Sequence, residues 1–326
     1  MPRVTSADVA RESGVSRTTV SYVLNGRADV VLTDATRKRV LETAARLGYT
    51  PSAPARALRS GRSDLVLCVL PDWTVGPAID TLVDHLTTAL ADHGLSLLVH
   101  IRRGARPLSH LWGAVTPCAV VVLSPVGADD ARAMRQAGIP VVGTALDEAS
   151  EPDVFAVPQA SIGAVQAEHL VERGHRVLAY AAPLDDRLGA FAVRRLAGVR
   201  DACARHGLPT PPLAAVDLDA EAAAGVVGAW HAHGVTAVVA YNDEVALAVL
   251  AGARAQGLDV PGDLAVIGVD DLPAARLAAP ALTTVWQAID AQAGYLAAAL
   301  LAALGLAEQT PTRPDDVFHV VPRAST

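Results

Sequence analysis

Short, unbroken apolar runs recur along most of this chain: LVLCVL from 65, LSLLVHI from 95, AVVVL from 119, PVVGTAL from 140, VLAYA from 177, TAVVAY from 236 and LAVIGV from 264. A strand with one wet face alternates polar and apolar residues, so an unbroken run implies cover on both faces. Between the runs, amphipathic segments at 77–92, 160–172, 188–206 and 243–256 have helical periodicity. Buried strands alternating with helices form βαβ units and hence parallel sheet. The rhythm extends over more than about 240 residues, too many for one open sheet of five or six strands. We therefore expect two doubly wound halves rather than a single barrel. The alanine-rich YLAAALLAAL near the C-terminus is a strong helix former.

The first fifty residues follow a different pattern. Thr5 and Asp8 form a capping-box-like helix start, and Gly14 ends that helix. Ser16 caps a second helix, which places Thr19, Val20, Val23 and Leu24 on one stripe. Arg17, Thr18, Ser21, Tyr22 and Asn25 lie on the opposite, polar stripe. A third helix starts at Thr33 or Asp34, carries Val40, Leu41, Ala44 and Leu47, and closes at Gly48. Two short helices joined by a tight glycine turn make a helix-turn-helix, and helices this short need each other's packing. From 49, the stretch YTPSAPARALRSGRSD reads as a linker with one helical turn near 54–59.

Charge separates the same two regions. Residues 1–62 hold ten arginines and Lys38 against five acids, a balance of +6. The whole chain totals −7, which leaves −13 for the rest. A basic head on an acidic body suits a polyanionic partner met by the head alone.

Other chemistries lack their residues. No GxGxxG follows a strand, no GxxxxGK[ST] occurs and no GxSxG elbow is present, so we expect no nucleotide cofactor and no enzyme. The Asp270-Asp271 pair follows the LAVIGV run, but no nucleophile accompanies it. His231 and His233 are two apart and share no helix face, so no metal site is expected. Cys68, Cys118 and Cys203 are widely spaced, with no CxxC, and read as buried reduced thiols. The N-terminus has no apolar signal region and no run is long enough for a membrane span, so a cytoplasmic location away from membranes is expected. Ligands of open α/β sheets sit outside the carboxyl ends of the strands, where Asp72, Asn242 and Asp270 each follow an apolar run.

These residues carry a resemblance. VTSADVARESGVSRTTVSYVLNG, then ATRKRVLETAARLGYTPSAPARAL, resembles the N-terminus of the LacI family of bacterial transcriptional regulators. It continues through HLVERGHRVLAY, RRLAGV, YNDEVALAVLAGARAQGLDVPGDLAVIGVDD and PALTTVWQ to the terminal RAST. The resemblance implies a small all-α helix-turn-helix headpiece at 1–50 and a hinge helix and linker at 51–63. It also implies an α/β effector and dimerisation domain at 64–326, made of two doubly wound parallel-sheet subdomains. One would span about 64–158 and 287–312, the other about 159–286 and 313–326. The function implied is a repressor acting as a homodimer on pseudo-palindromic double-stranded operator DNA. A sugar or sugar derivative bound between the subdomains would control it, with a purine-type corepressor as the alternative. An enzyme fused to a DNA-binding module and a free transport binding protein are the rival readings.

By position, the resemblance assigns base reading to Arg17, Thr18 and Tyr22, support to Ser21 and Asn25, and phosphate contact to Thr5 and Ser16. An arginine can fork to guanine and a threonine offers a hydroxyl and a methyl, which suits that role. In the hinge, Leu58 would wedge into the minor groove beside Arg56 and Ala57. In the effector domain the assignments are Asp72, Trp73, Arg195, Asn242, Asp270 and Gln287. Three departures stand out: Ser52 where Asn is usual, Pro54 at the start of the hinge helix, and Pro158 where Asp is common before a crossover helix. The last implies a less polar pocket.

Overall fold

The structure is a computed structural model, described here for residues 4–24, 30–49, 63–104, 107–124, 126–147, 154–307, 314 and 316–326. The chain divides into two units, Met1–Asp64 and Leu65–Thr326. Asn25, Arg56, Ala57 and Leu58, with Ser52 and Pro54, lie outside the described residues.

The first unit has helices α1 (Ser6–Ser13), α2 (Arg17–Leu24) and α3 (Asp34–Leu47). Gly14 and Gly48 end α1 and α3 with φ near +65° (66° and 64°), a conformation that costs glycine little. Val9, Ala10, Val20, Val23, Val40 and Ala44 form the shared core, with Val15, Leu24, Leu47 and Tyr49 packed around it. Two residues depart from the expected stripes. Leu41 is 48% exposed, because inward-facing Val40 and Ala44 turn their neighbour by about 100° toward water. Thr19 is half-buried and serves the start of α2: its amide donates to the Ser16 hydroxyl at 3.0 Å.

In the second unit, β1 (Leu65–Leu70), β2 (Ser96–Ile101), β3 (Ala119–Val122), β4 (Val141–Leu146) and β5 (Val154–Val157) form a parallel sheet in the order β2-β1-β3-β4-β5. Alternation along β1 explains its unbroken apolar run. Val66, Cys68 and Leu70 face α4 (Pro77–Ala91) and α12 (Ile289–Ala303). Leu67 and Val69 face α5 (Ser109–Val115) and α6 (Ala128–Gln136) through Leu108, Trp112 and Met134.

The second sheet has the order β11-β10-β9-β8-β6-β7 and is parallel except at β11. Its strands are β6 (Leu178–Pro183), β7 (Leu213–Val216), β8 (Ala237–Ala240), β9 (Ala265–Val269), β10 (Thr283–Gln287) and β11 (Phe318–Val321). Helices α7 (Gln159–Glu172), α8 (Gly189–Arg205), α9 (Ala220–Ala232) and α10 (Asp243–Ala255) cover it, and short α11 (Pro273–Leu277) follows β9. After β10 the chain returns to the first sheet as α12, then comes back as β11.

All three cysteines are free and buried, and burial pushes the Cys68 thiol up to about 12. Among the described residues no helix is long and apolar enough to cross a membrane, and no group of His, Cys, Asp and Glu could hold a metal ion.

Candidate DNA interface and ligand cleft

The helix-turn-helix presents its polar stripe outward. Arg17 and Thr18 are exposed, while Ser21 and Tyr22 are half-buried beside the core residues Val20 and Val23. The turn before α2 is fixed by side chains: the Ser13 hydroxyl donates to the Val9 carbonyl at 2.6 Å, and Ser16 caps α2. Thr5 is engaged at its own helix start, where its amide (3.0 Å) and hydroxyl (2.7 Å) both donate to the Asp8 carboxylate. Those bonds, with Arg11, hold the Asp8 carboxyl below its usual range. The arrangement puts an arginine fork and a threonine hydroxyl at the amino end of a solvent-facing helix, the part that enters a major groove in helix-turn-helix proteins.

In the second unit, a cleft of about 880 Å³, mouth included, opens where the strands of both sheets end. Trp73 and Thr74 follow β1, Leu123 follows β3, and Leu146 and Val157 end β4 and β5. Tyr241 and Asn242 follow β8, Asp270 follows β9 and Gln287 ends β10. This is the position expected of ligands in open α/β sheets.

Arg195 is 4% exposed and belongs to α8. Its Nε donates to Gln159 Oε1 (2.8 Å), one terminal nitrogen donates to the Tyr241 carbonyl (2.6 Å), and the guanidinium lies 4.7 Å from the Tyr241 ring centroid. The helix crossing beneath it explains the spacing of RRLAG. A Cβ on Gly198 would meet the Ala160 carbonyl oxygen at 1.8 Å, and one on Gly163 would meet the Arg195 carbonyl oxygen at 1.9 Å. Two glycines thus let α7 and α8 touch backbone to backbone, which aims Arg195 into the cleft.

Asn242 caps α10, its Oδ1 accepting from the Val245 amide at 3.0 Å, while its Nδ2 lies 3.4 Å from Glu244. Asp270 has φ 109° and Asp271 φ 49°, conformations that cost an L-residue on the order of 1–3 kcal/mol and must be held from outside. Buried Asp243 holds them: it accepts from the Leu272 amide (2.8 Å) and the Thr284 hydroxyl (2.6 Å). Gly268 makes room for it, since a Cβ there would meet the Asp243 carboxylate at 2.2 Å. Asp271 binds Arg276 at 2.8 Å and also binds Arg323. Burial would raise the Asp271 carboxyl, but those two arginines outweigh it and hold it low. Asp270 is left facing the cleft, where the Gln287 amide donates to it at 2.7 Å. Burial pushes its carboxyl up to about 6, against the opposing charge of Arg195. Burial likewise raises Asp243 to about 7.

The cleft thus brings together Trp73, Arg195, Asn242, Asp270 and Gln287. Asp72 is the correction: it does not line the cavity, but points outward and meets Arg103 at 3.3 Å. The chain turns tightly at Asp72, where the Trp73 amide donates to the Pro71 carbonyl at 2.7 Å, and Trp73 lines the cavity while Asp72 does not. Trp73 packs edge-on against Phe191, with centroids 4.6 Å apart. Sequence reasoning missed Gln159, Tyr241, Glu244 and Phe191. Gln159 and Tyr241 sit next to residues it had singled out, so adjacency to strand ends was the available signal. Pro158 offers no cap to α7; instead the Asp147 carboxylate, from the end of β4, accepts from the Ala160 amide (2.7 Å) and pairs with Arg194 at 3.2 Å.

Comparison with known proteins places both halves. Residues 5–52 match the pattern of bacterial regulatory proteins of the lacI family, and residues 167–326 match the periplasmic binding protein-like domain. Catabolite control protein A of Priestia megaterium is 30% identical over 302 residues, covering 87% of each chain. The chain belongs to the LacI family. Among LacI-family structures, the lac repressor dimer bound to operator and the anti-inducer ONPF superposes with a TM-score of 0.78 at 25% identity, over 99% of both chains. The complex of the regulator CelR with cellobiose gives 0.65 at 27% identity, over 99% of this chain and 100% of that one. The chain is therefore a DNA-binding transcriptional regulator, and its relatives and structural neighbours are regulators rather than enzymes.

Proposed function

We propose that the chain is a cytoplasmic repressor that binds pseudo-palindromic operator DNA as a homodimer, and that a small molecule in the cleft controls this binding. The observation that carries the reading is the cleft itself, where side chains from two separate sheets converge on one cavity. A ligand touching both walls favours one spacing of the two subdomains, and its differential affinity for the two spacings sets how far DNA binding shifts. The operator-bound dimer among its structural neighbours supports the dimeric arrangement. On the DNA side, Arg17, Thr18 and Tyr22 read bases, Ser21 and Asn25 support them, Thr5 and Ser16 meet phosphates, and Leu58 with Arg56 and Ala57 enters the minor groove. On the ligand side, Trp73, Arg195, Asn242, Asp270 and Gln287 make the contacts.

The test of the DNA half is selection from a random DNA library. Arg17→Ala should weaken binding to the selected operator by about 1–3 kcal/mol and relax preference at one base position in each half-site. Unchanged base preference in the variant would remove Arg17 from the reading surface.

A further inference from the structure

The two walls of the cleft offer a ligand different things. On the first sheet's side the wall is Ile79, Leu82, Leu123, Leu146 and Val157. Its hydroxyls already donate within the protein: Thr144 to the Leu123 carbonyl at 2.9 Å, and Thr74 to Asp185. Asp147, at the end of β4, is turned to the Ala160 amide and Arg194. Among the described residues, the Gln292 amide and the Trp73 indole N–H are the side-chain donors that remain there for a polar ligand group.

The second sheet's side is the reverse. Asp270 Oδ1 accepts from Gln287 and its other oxygen has no partner among the described residues, while Arg195 keeps one terminal nitrogen beyond its bonds to Gln159 and Tyr241. Glu244 stands at the rim with Asn242. Two carboxylates therefore face one guanidinium. A ligand carboxylate or phosphate would enter a site already balanced toward negative charge, inside walls that screen charge weakly. Hydroxyls or an amine would donate to the oxygens that lack partners. A uniformly hydroxylated ligand, by contrast, would bury against leucine, isoleucine and valine the hydroxyls that Gln292 and Trp73 do not serve.

We propose that the cleft takes an amphipathic, non-anionic effector, with a head of hydroxyls or an amine on Asp270, Asn242 and Arg195 and an apolar body against the Leu82, Leu123, Leu146 and Val157 wall. This rests on the reading of the cleft as the effector site. Apolar contact with the wall scales with the area removed from water, so a ring added to a suitable head should tighten binding.

The test titrates the full-length protein, by tryptophan fluorescence and thermal melting, with three sets of probes. The first set is glucose, galactose, mannose and xylose as methyl glycosides, alongside ethylamine. The second is the matching phenyl glycosides and phenethylamine. The third is glucose 6-phosphate and phenyl glucuronide. At least one member of the second set should bind ten times more tightly than its counterpart in the first, and Leu146→Asn should cut that advantage at least threefold, with its own melting curve confirming that it folds. Methyl and phenyl members binding alike, an anionic probe binding best, or no probe binding at 10 mM would each overturn the proposal. Measuring DNA affinity in the same samples keeps the two readings apart. A phenyl probe that binds without changing DNA affinity counts against the effector reading and leaves the ligand class standing.

Discussion

The first sheet ends its strands at the cleft in Leu123, Leu146 and Val157, whereas the second ends them in Asn242, Asp270 and Gln287. Both sheets follow the same βαβ rhythm, yet the supports behind their cleft residues differ. The first wall needs little beyond core packing, since apolar side chains at strand ends follow from burial. The second wall is a set of polar groups, each fixed by something behind it: close-packed glycines under Arg195, a helix cap at Asn242, and Asp243 with two arginines around the Asp270 turn. Polar recognition therefore depends on a rigid frame, and apolar recognition on volume.

The largest effect should come from breaking that frame. Gly198→Ala puts a methyl where α7 and α8 touch backbone to backbone, and should cost about 3 kcal/mol or more in urea denaturation. Gly113→Ala on α5, beside the first sheet, meets nothing within 4 Å and should be neutral or slightly stabilising. Equal losses in the two variants would erase the contrast between the subdomains.

A smaller effect concerns pH. The Asp270 carboxyl sits near 6 in the fold, against 3.8 in water, so between those values the folded state holds a proton that the unfolded chain has lost. Its contribution to stability is therefore full below about pH 4 and is lost as pH rises through 6. Ligand affinity should run the other way, because donors from the head need the ionised carboxylate. Between pH 7 and pH 5 the binding of a hydroxyl- or amine-headed probe should weaken by roughly tenfold, while Asp270→Asn should show a flat profile. A sloped profile in the variant would assign the titration to another group.

The smallest effect lies at the junction of the two sheets. Asp147→Ala removes the carboxylate that accepts from the first turn of α7, and should lower stability by about 1 kcal/mol. A loss below a few tenths would mean that solvent serves the Ala160 amide equally well.

What the sequence revealed divides along physical lines. Strands buried on both faces, such as LVLCVL and LAVIGV, announce themselves as unbroken apolar runs. Edge strands are less consistent: β7 is the four residues LAAV, half open to water, and β11 is FHVV, paired on one side. Edge strand β2 does read as an apolar run, LSLLVHI, yet leaves Leu98 and Val99 exposed rather than covered on both faces. The cleft residues Asn242 and Asp270 were legible because each follows an apolar run. Asp147 as the cap of α7 was not, since a carboxylate 13 residues from the amide it serves leaves no local pattern. Gly198 could be read as part of RRLAG, but its purpose is visible only where α8 crosses α7. Leu41 looked apolar and periodic, yet three helices of this length bury one narrow stripe each, and it falls outside that stripe.

The central claim is that the polar wall of the cleft senses a ligand while a separate unit holds the DNA. Its most direct test is a paired titration of wild type and Asp270→Ala against the library-selected operator, with and without the tightest-binding probe. Wild-type DNA affinity should shift by about 5- to 150-fold with ligand. The variant should bind DNA as wild type does without ligand, and should need at least tenfold more probe for the same shift. A variant that responds at the wild-type probe concentration would place the ligand elsewhere and contradict the account.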